Sequence, residues 1–163
     1  MMTKKIGLFI MLISALLLVT GCGAKKEEKK EVNVEGTLTE IMEKIYSDIP
    51  EEERPMMLTN MELNEENIEG FIGTNDIEYK EALASEPGIG SIAHSVVLVR
   101  AKDVKDVDDI KKKIKENVNP RKWVCVGVEE EDVIIKSKGD LVILILVENE
   151  ETRETLDAGF DAL

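Results

Sequence analysis

Cys22 is the residue whose position in this 163-residue chain most directly predicts chemistry. It follows a pair of lysines, an apolar run and two small residues, a pattern typical of a secretory signal peptide that is cleaved just before the cysteine. The apolar run, residues 6–19, is about 14 residues long and falls short of the roughly 20 that a membrane-spanning helix needs. We therefore expect residues 1–21 to be removed and Cys22 to begin the mature chain.

The residues Val-Thr-Gly-Cys at positions 19–22 resemble the bacterial lipobox. In that motif the cysteine thiol receives a diacylglyceryl group before cleavage. Two acyl chains on one residue give a stable membrane hold, whereas a single chain, at about 0.8 kcal/mol per buried methylene, is marginal. The resemblance implies lipidation of Cys22 and a protein that is lipid-anchored to the cell membrane on its extracytoplasmic face.

Composition divides the mature chain into a tether and one domain. Residues 22–36 contain the lipidated cysteine and a charged segment with too few apolar residues to fold by itself, and residues 37–163 are expected to form one globular domain. Removal of residues 1–21 takes away two lysines and no acidic residue, so the net charge moves from −13 to −15. No basic face is evident, which argues against a nucleic-acid partner. Nothing in the pattern indicates an oligomeric state.

Several strong local patterns predict an α+β fold, namely a single two-layer domain with a small, mainly antiparallel sheet and helices packed on it. Thr37 and Glu40 match a capping box at the start of a helix. Residues 91–101 are rich in β-branched side chains and predict a buried strand, followed by an amphipathic helix over 103–118. The segments 133–137 and 141–147 flank a glycine and predict a hairpin, with 141–147 as a central strand because it is apolar on both faces.

Other segments give weaker patterns. Residues 56–63 fit a short edge strand or an extended loop, and a short helix is expected to end at Gly73. A second short helix over 77–84 and a last helix over 150–163 are expected. Residues 120–128 fit either a helical turn that begins at the proline or a strand, and the helical interpretation is slightly favoured.

Three stretches, residues 86–103, 120–129 and 137–146, together resemble a family of uncharacterised lipoprotein domains of Clostridia and related Gram-positive bacteria. The resemblance covers roughly residues 37–147. It implies a lipid-anchored compartment, one domain and an α+β fold. It supplies no catalytic residue and no ligand.

His94, the only histidine, is the first candidate for catalysis. Ser95 would point to the opposite face of the predicted strand, so these two neighbours cannot form a serine–histidine pair. A remote serine (47, 85, 91 or 137) could approach His94, but the chain has no Gly-x-Ser-x-Gly nucleophile elbow. We expect a packed histidine and no catalytic residue.

Cysteines and acidic runs are the candidates for metal binding. Once Cys22 is lipidated, Cys125 is alone and cannot form an intramolecular disulfide; its apolar neighbours predict a buried thiol. There is no histidine or cysteine pair with metal-ligand spacing and no complete calcium loop. The run Glu129–Asp132 is expected to be a solvated loop, with weak calcium binding as the alternative. We expect neither a metal site nor a cofactor.

Trp123, with Arg121 and Lys122 beside it, is the candidate partner contact, because an aromatic side chain next to cations is typical of binding hot spots. A role in the core or as a lid over it is the favoured alternative. Three functions remain: a non-enzymatic module that binds a protein or envelope component, which we favour; a small-ligand or cation-binding lipoprotein that serves a transporter or sensor; and, least supported, an envelope hydrolase.

Overall fold

The computed structural model describes residues 33–163. The predicted signal peptide, Cys22 and most of the predicted tether therefore lie outside the described residues. Among the helices in the described range, none is both long enough and apolar enough to cross a membrane.

The centre of the fold is one antiparallel sheet of five strands, which confirms the α+β prediction and the antiparallel hairpin. The strands are β1 (Leu58–Leu63), β2 (Tyr79–Pro87), β3 (His94–Ala101), β4 (Ile134–Lys138) and β5 (Leu141–Val147). Their order across the sheet is β1-β2-β3-β5-β4, and each neighbouring pair is antiparallel. The middle position belongs to β3, with β5 beside it, and residues 58–63 of the predicted segment 56–63 form an edge strand.

Helices cover both faces of the sheet, so the domain has three layers rather than the two expected. The helices are α1 (Leu38–Ile45), α2 (Glu69–Ile72), α3 (Val107–Asn117) and α4 (Glu150–Asp161). One apolar cluster joins α1 and α4 to one side of β3 and β5, here called the α1 face, and a second joins α2 and α3 to the opposite side, the α3 face. Since every side chain of β3 and β5 is buried, neither face could be left to solvent.

Several local signals act as the sequence predicts. The Thr37 hydroxyl accepts from the Glu40 backbone N–H and the Glu40 carboxylate accepts from the Thr37 N–H, which completes the capping box. Gly73 ends α2 with φ 84°, and Gly139 turns the β4–β5 hairpin with φ 57°. On α3, Val107, Ile110 and Ile114 are buried against the sheet, as expected from their spacing.

The predicted helix over 77–84 is wrong, because residues 79–84 belong to β2 and 77–78 are irregular. The segment contains good helix formers, but β2 lies between β1 and β3 and pairs with both. The side chains of Ala82 and Ala84 lie on the α3 face of the sheet, and that of Leu83 lies on the α1 face. Sheet pairing on both sides here outweighs a helix preference of at most about 0.7 kcal/mol per residue.

Residues 120–128 form neither of the two predicted elements but a closed loop, the 120–128 loop. The Val128 N–H donates to the Pro120 carbonyl at 2.8 Å and closes it, and residues 123–125 form a bend. Trp123 nevertheless packs against the apolar cluster of the α3 face, in agreement with the expected role in the core or as a lid over it. A single proline turn followed by tertiary contacts is sufficient to place the tryptophan.

Candidate interaction surface

The sheet has two chemically different ends, separated by the length of β3, which is roughly 25 Å at about 3.4 Å per residue. The tether end lies where β3 finishes and where the chain enters the domain. The far end lies where β3 begins, and it is formed by the β1 entry, the 88–93 turn and the 120–128 loop.

Arg100 holds the incoming chain at the tether end. Arg100 is only 5% exposed, and its guanidinium donates to the carbonyls of Val34 and Gly36 at 2.8 and 2.9 Å. It also donates to the carboxylates of Glu81 at 2.7 Å and Asp140 at 3.2 Å. The last residues of the predicted tether therefore lie against the domain, and the described part of the chain begins at this end.

Lys122 and Trp123 hold the 120–128 loop at the far end. The Lys122 ammonium donates to Glu86 at 2.7 Å and to the Ser95 hydroxyl at 3.3 Å, and the Trp123 indole N–H donates to the same Glu86 carboxylate at 3.1 Å. The ammonium also lies 4.5 Å from the centre of the Phe71 ring. Burial lowers the pKa of Lys122, and the bond and charge of Glu86 offset part of that effect. These contacts fix the loop.

Arg121, the third predicted contact residue, lies at the surface and pairs with Glu129. Asp132, at the other end of the acidic run, pairs with Arg153 at 2.8 Å. The run Glu129–Asp132 therefore points its two terminal carboxylates at different arginines. In the described part of the chain, no group of three metal-ligating side chains is close enough to hold an ion.

Three large apolar side chains are exposed at the far end: Met56 at 73%, Met57 at 65% and Val124 at 69%. Both segments that carry them are bonded to the 88–90 turn. The Gly88 N–H donates to the Met57 carbonyl at 3.1 Å, and the Val124 N–H donates to the Gly90 carbonyl at 2.9 Å. We call Met56, Met57 and Val124 the apolar patch.

Backbone strain accompanies the apolar patch. Met57 has φ 60° and Cys125, next to Val124, has φ 65°, and these are the positive-φ residues other than glycine in the described range. A non-glycine residue in this left-handed region costs about 1–3 kcal/mol and persists only where surrounding contacts impose it. The two segments are thus held in unfavourable conformations while they display apolar side chains to solvent.

Cys125 is exposed, so the prediction of a buried thiol is wrong. That prediction assumed that its apolar neighbours would lie in a strand or helix against the core. Residues 123–125 instead bend away from the sheet, with Trp123 packed inward and Val124 and Cys125 outward.

Exposed acidic segments neighbour the apolar patch in the chain. Glu51–Glu53 form an exposed 3₁₀ turn just before it in the chain, and Glu129–Glu131 follow the 120–128 loop at the same end of the sheet. The neighbouring Arg54 is turned inward, since it donates to the carbonyls of Ile49 at 3.0 Å and Tyr46 at 2.8 Å. The far end therefore carries the apolar patch together with two exposed acidic segments, which we call the acidic rim.

His94 is enclosed on the α1 face and is 3% exposed. Its Nε2 lies 2.6 Å from the Tyr46 hydroxyl, while Ser95 bonds to Lys122 on the other face, which confirms that the two neighbours do not pair. Burial lowers the pKa of His94 to about 4 and raises that of Tyr46, where Ser85 and Arg54 act in the opposite direction. The imidazole is therefore packed in the core, as expected, and its hydrogen bond joins β3 to Tyr46 at the end of α1.

An open groove of about 1280 Å³ lies at the tether end, between the start of α1, the end of β1 and the start of β2. Acidic side chains predominate along it: Glu62, Glu65, Glu66, Asp76, Glu78 and Glu81, against Lys80 and Lys102. Lys102 is already paired with Glu78 at 2.5 Å. His94, Cys125 and the apolar patch do not line this groove.

The sequence singled out the 120–128 loop but not the residues of it that reach solvent. Trp123 and Lys122 attach the loop to the domain. The exposed apolar side chains at positions 56, 57 and 124 are not among the contact residues that the sequence predicts. The pair of methionines after Pro55, immediately before a strand, was the available signal. In comparisons with family models, with curated proteins and with solved structures, nothing matches the chain.

Proposed function

We propose that this protein is a membrane-anchored, extracytoplasmic lipoprotein that binds a protein or envelope component and has no enzymatic activity. The resemblance to clostridial lipoprotein domains and the Val-Thr-Gly-Cys motif support the compartment and the anchor at Cys22. The observation that carries the binding role is the opposition of the two ends: the chain enters at Arg100, and the strained, exposed apolar side chains lie at the other end of the sheet.

This geometry suits a displayed binding module. An anchor attached through the tether end leaves the far end facing away from the membrane. The tether residues before position 33 number ten after Cys22, and a chain of that length reaches at most about 35 Å. The domain can therefore stand clear of the lipid surface without leaving it.

Mass spectrometry of the native protein tests the anchor. The amino-terminal peptide should begin at Cys22 and carry a diacylglyceryl group, and Cys22→Ala should move the protein from the membrane fraction to the medium. A mature chain that retains residues 1–21, or a Cys22→Ala protein that is processed and held like the wild type, would refute the anchor.

The acidic groove favours a second function, the binding of a cationic small ligand. Three of the six carboxylates in this concave site already pair with Arg100, Lys102 or Lys113, and the excess of negative charge that remains attracts cations. Thermal-shift measurements with spermidine and with Ca²⁺ test it: a concentration-dependent rise in Tm that Glu65→Gln with Glu66→Gln abolishes would favour this function. No rise for either compound would reject it.

A further inference from the structure

We propose that the apolar patch of Met56, Met57 and Val124, with its acidic rim, docks a protein segment in which apolar side chains are flanked by lysine or arginine. The inference rests on the proposed binding function and specifies its surface and its partner's chemistry.

The first argument is exposure. These three side chains are 65–73% exposed and their two segments are bonded to the same turn, and exposed apolar side chains grouped in this way are typical of interaction sites. Methionine suits such a site because its unbranched, polarisable side chain adapts to different partner shapes. Burial of this surface by a partner removes it from water.

The second argument is preorganisation. Met57 and Cys125 are held at positive φ, and the backbones of Met57 and Val124 bond to one turn, Gly88-Ile89-Gly90. A Cβ placed on Gly88 would lie 3.6 Å from Met57 Cε, so the methionine side chain already lies over this turn. The domain therefore orders the patch before a partner arrives, which lowers the entropy lost on binding.

The third argument is charge, which selects the occupant. The exposed acidic segments Glu51–Glu53 and Glu129–Glu131 lie close in the chain to the two segments that carry the patch, and the basic residues beside the patch in the chain are engaged: Arg54 with backbone carbonyls and Arg121 with Glu129. A second copy of this acidic chain, or an anionic lipid surface, would meet like charge here. A basic, partly apolar segment meets complementary charge.

Site-specific photo-crosslinking in cells tests the surface with the full-length chain. The photoreactive residue p-benzoylphenylalanine replaces Met57 or Val124 at the far end, and Val104 or Glu65 as controls at the tether end; Val104 is itself 45% exposed. We expect positions 57 and 124 to crosslink to one and the same protein, through a peptide that contains apolar residues and lysine or arginine, with no such product from 104 or 65.

The crosslinks separate this inference from the function on which it rests. Products from 104 or 65 but not from 57 and 124 would overturn the docking surface and leave a binding module. Products from no position would overturn both. A crosslink from 57 and 124 to a second copy of the chain, to lipid, or to a peptide without basic residues would overturn the proposed occupant.

A synthetic peptide with the crosslinked sequence then gives the energetics, with the full chain in a nonionic detergent. Met57→Ser and Val124→Ser should each weaken binding tenfold or more, and Val104→Ser should stay within twofold of the wild type. Glu130→Gln with Glu131→Gln should weaken binding, and most at low salt, whereas Glu65→Gln with Glu66→Gln should not. Equal effects of patch and control variants would refute the proposal. Unchanged urea midpoints for the serine variants show that they remain folded.

Discussion

Acidification should destabilise this domain through one residue, His94. The imidazole is 3% exposed and its Nε2 contacts the Tyr46 hydroxyl at 2.6 Å. Burial lowers its pKa to about 4 in the folded protein, whereas an unfolded chain restores the ordinary value of about 6.5. Between these two pH values the unfolded state binds a proton that the folded state does not.

The sign and size follow from this difference. Protonation of His94 favours the unfolded chain. The contribution of neutral His94 to the unfolding free energy should therefore be fully present above pH 6.5, decrease as the pH drops through 6.5, and stop decreasing near pH 4. At 1.36 kcal/mol per pH unit, the interval from 6.5 to about 4 corresponds to about 3 kcal/mol of unfolding free energy. That is a large part of the stability of a domain of this size.

Two measurements test the prediction. His94 is the only histidine, so an NMR titration of its ring protons reports this group alone. Urea unfolding of the wild type and of His94→Gln, at pH 7 and at pH 4, gives the free energy of unfolding of each protein. Both proteins contain the same carboxylates, so the difference between them removes the carboxylate contribution. The wild type should lose about 3 kcal/mol relative to the variant over this range. A ring pKa near 6.5 in the folded protein, or parallel pH profiles for the two proteins, would refute the reasoning.

Three further outcomes are expected. Arg100→Met should cost about 3–5 kcal/mol of unfolding free energy, because it leaves the Asp140 carboxylate and two carbonyls without their donor, and it should speed amide exchange in residues 33–36. Gly73→Ala should cost at least about 2 kcal/mol, because φ is 84° and the added Cβ would lie 2.1 Å from the Asn117 carbonyl oxygen. In a Cys22→Ser chain, the exposed Cys125 thiol should react with Ellman's reagent as fast in buffer as in urea.

Matched variants control these outcomes. Arg121→Met breaks an exposed ion pair and should cost less than about 1 kcal/mol, so a similar cost for Arg100→Met would contradict its role at the tether end. Gly70→Ala has open space around its Cβ and should be neutral or stabilising; equal losses at Gly70 and Gly73 would show that the cap geometry is unimportant. Protection of Cys125 in buffer would contradict the bend at residues 123–125.

The acidic and apolar parts of the far end illustrate how far the sequence leads. The acidic runs are visible as charge, and the 120–128 loop as an unusual mixture of proline, cations and tryptophan. The sequence does not show that the segments of Met57 and Val124 lie at the same turn, because these two residues are 67 positions apart in the chain. Only the pairing of β1, β2 and β3 places both segments on the 88–90 turn.

Where the sequence alone was decisive, the structure depends on contacts within a few residues. The capping box at Thr37, the glycine cap at Gly73 and the hairpin at Gly139 are all local hydrogen-bonding or dihedral requirements. The β-branched segment of β3 and the spacing of α3 are local hydrophobic patterns. Such features are determined by side chains that are neighbours in the chain.

Tertiary structure decided the rest, because the competing local preferences there were small or balanced. The predicted helix over 77–84 rests on preferences of tenths of a kcal/mol per residue, but pairing on two sides makes residues 79–84 part of a strand. The side chains of β5 are apolar on both faces, so the sheet needs a covering layer on each side. The sequence does not say which helices form these layers; in the structure α1 and α4 pack on one side and α2 and α3 on the other. Cys125 likewise has apolar neighbours on either side, yet Trp123 takes the buried position of the 123–125 bend and leaves the thiol in solvent.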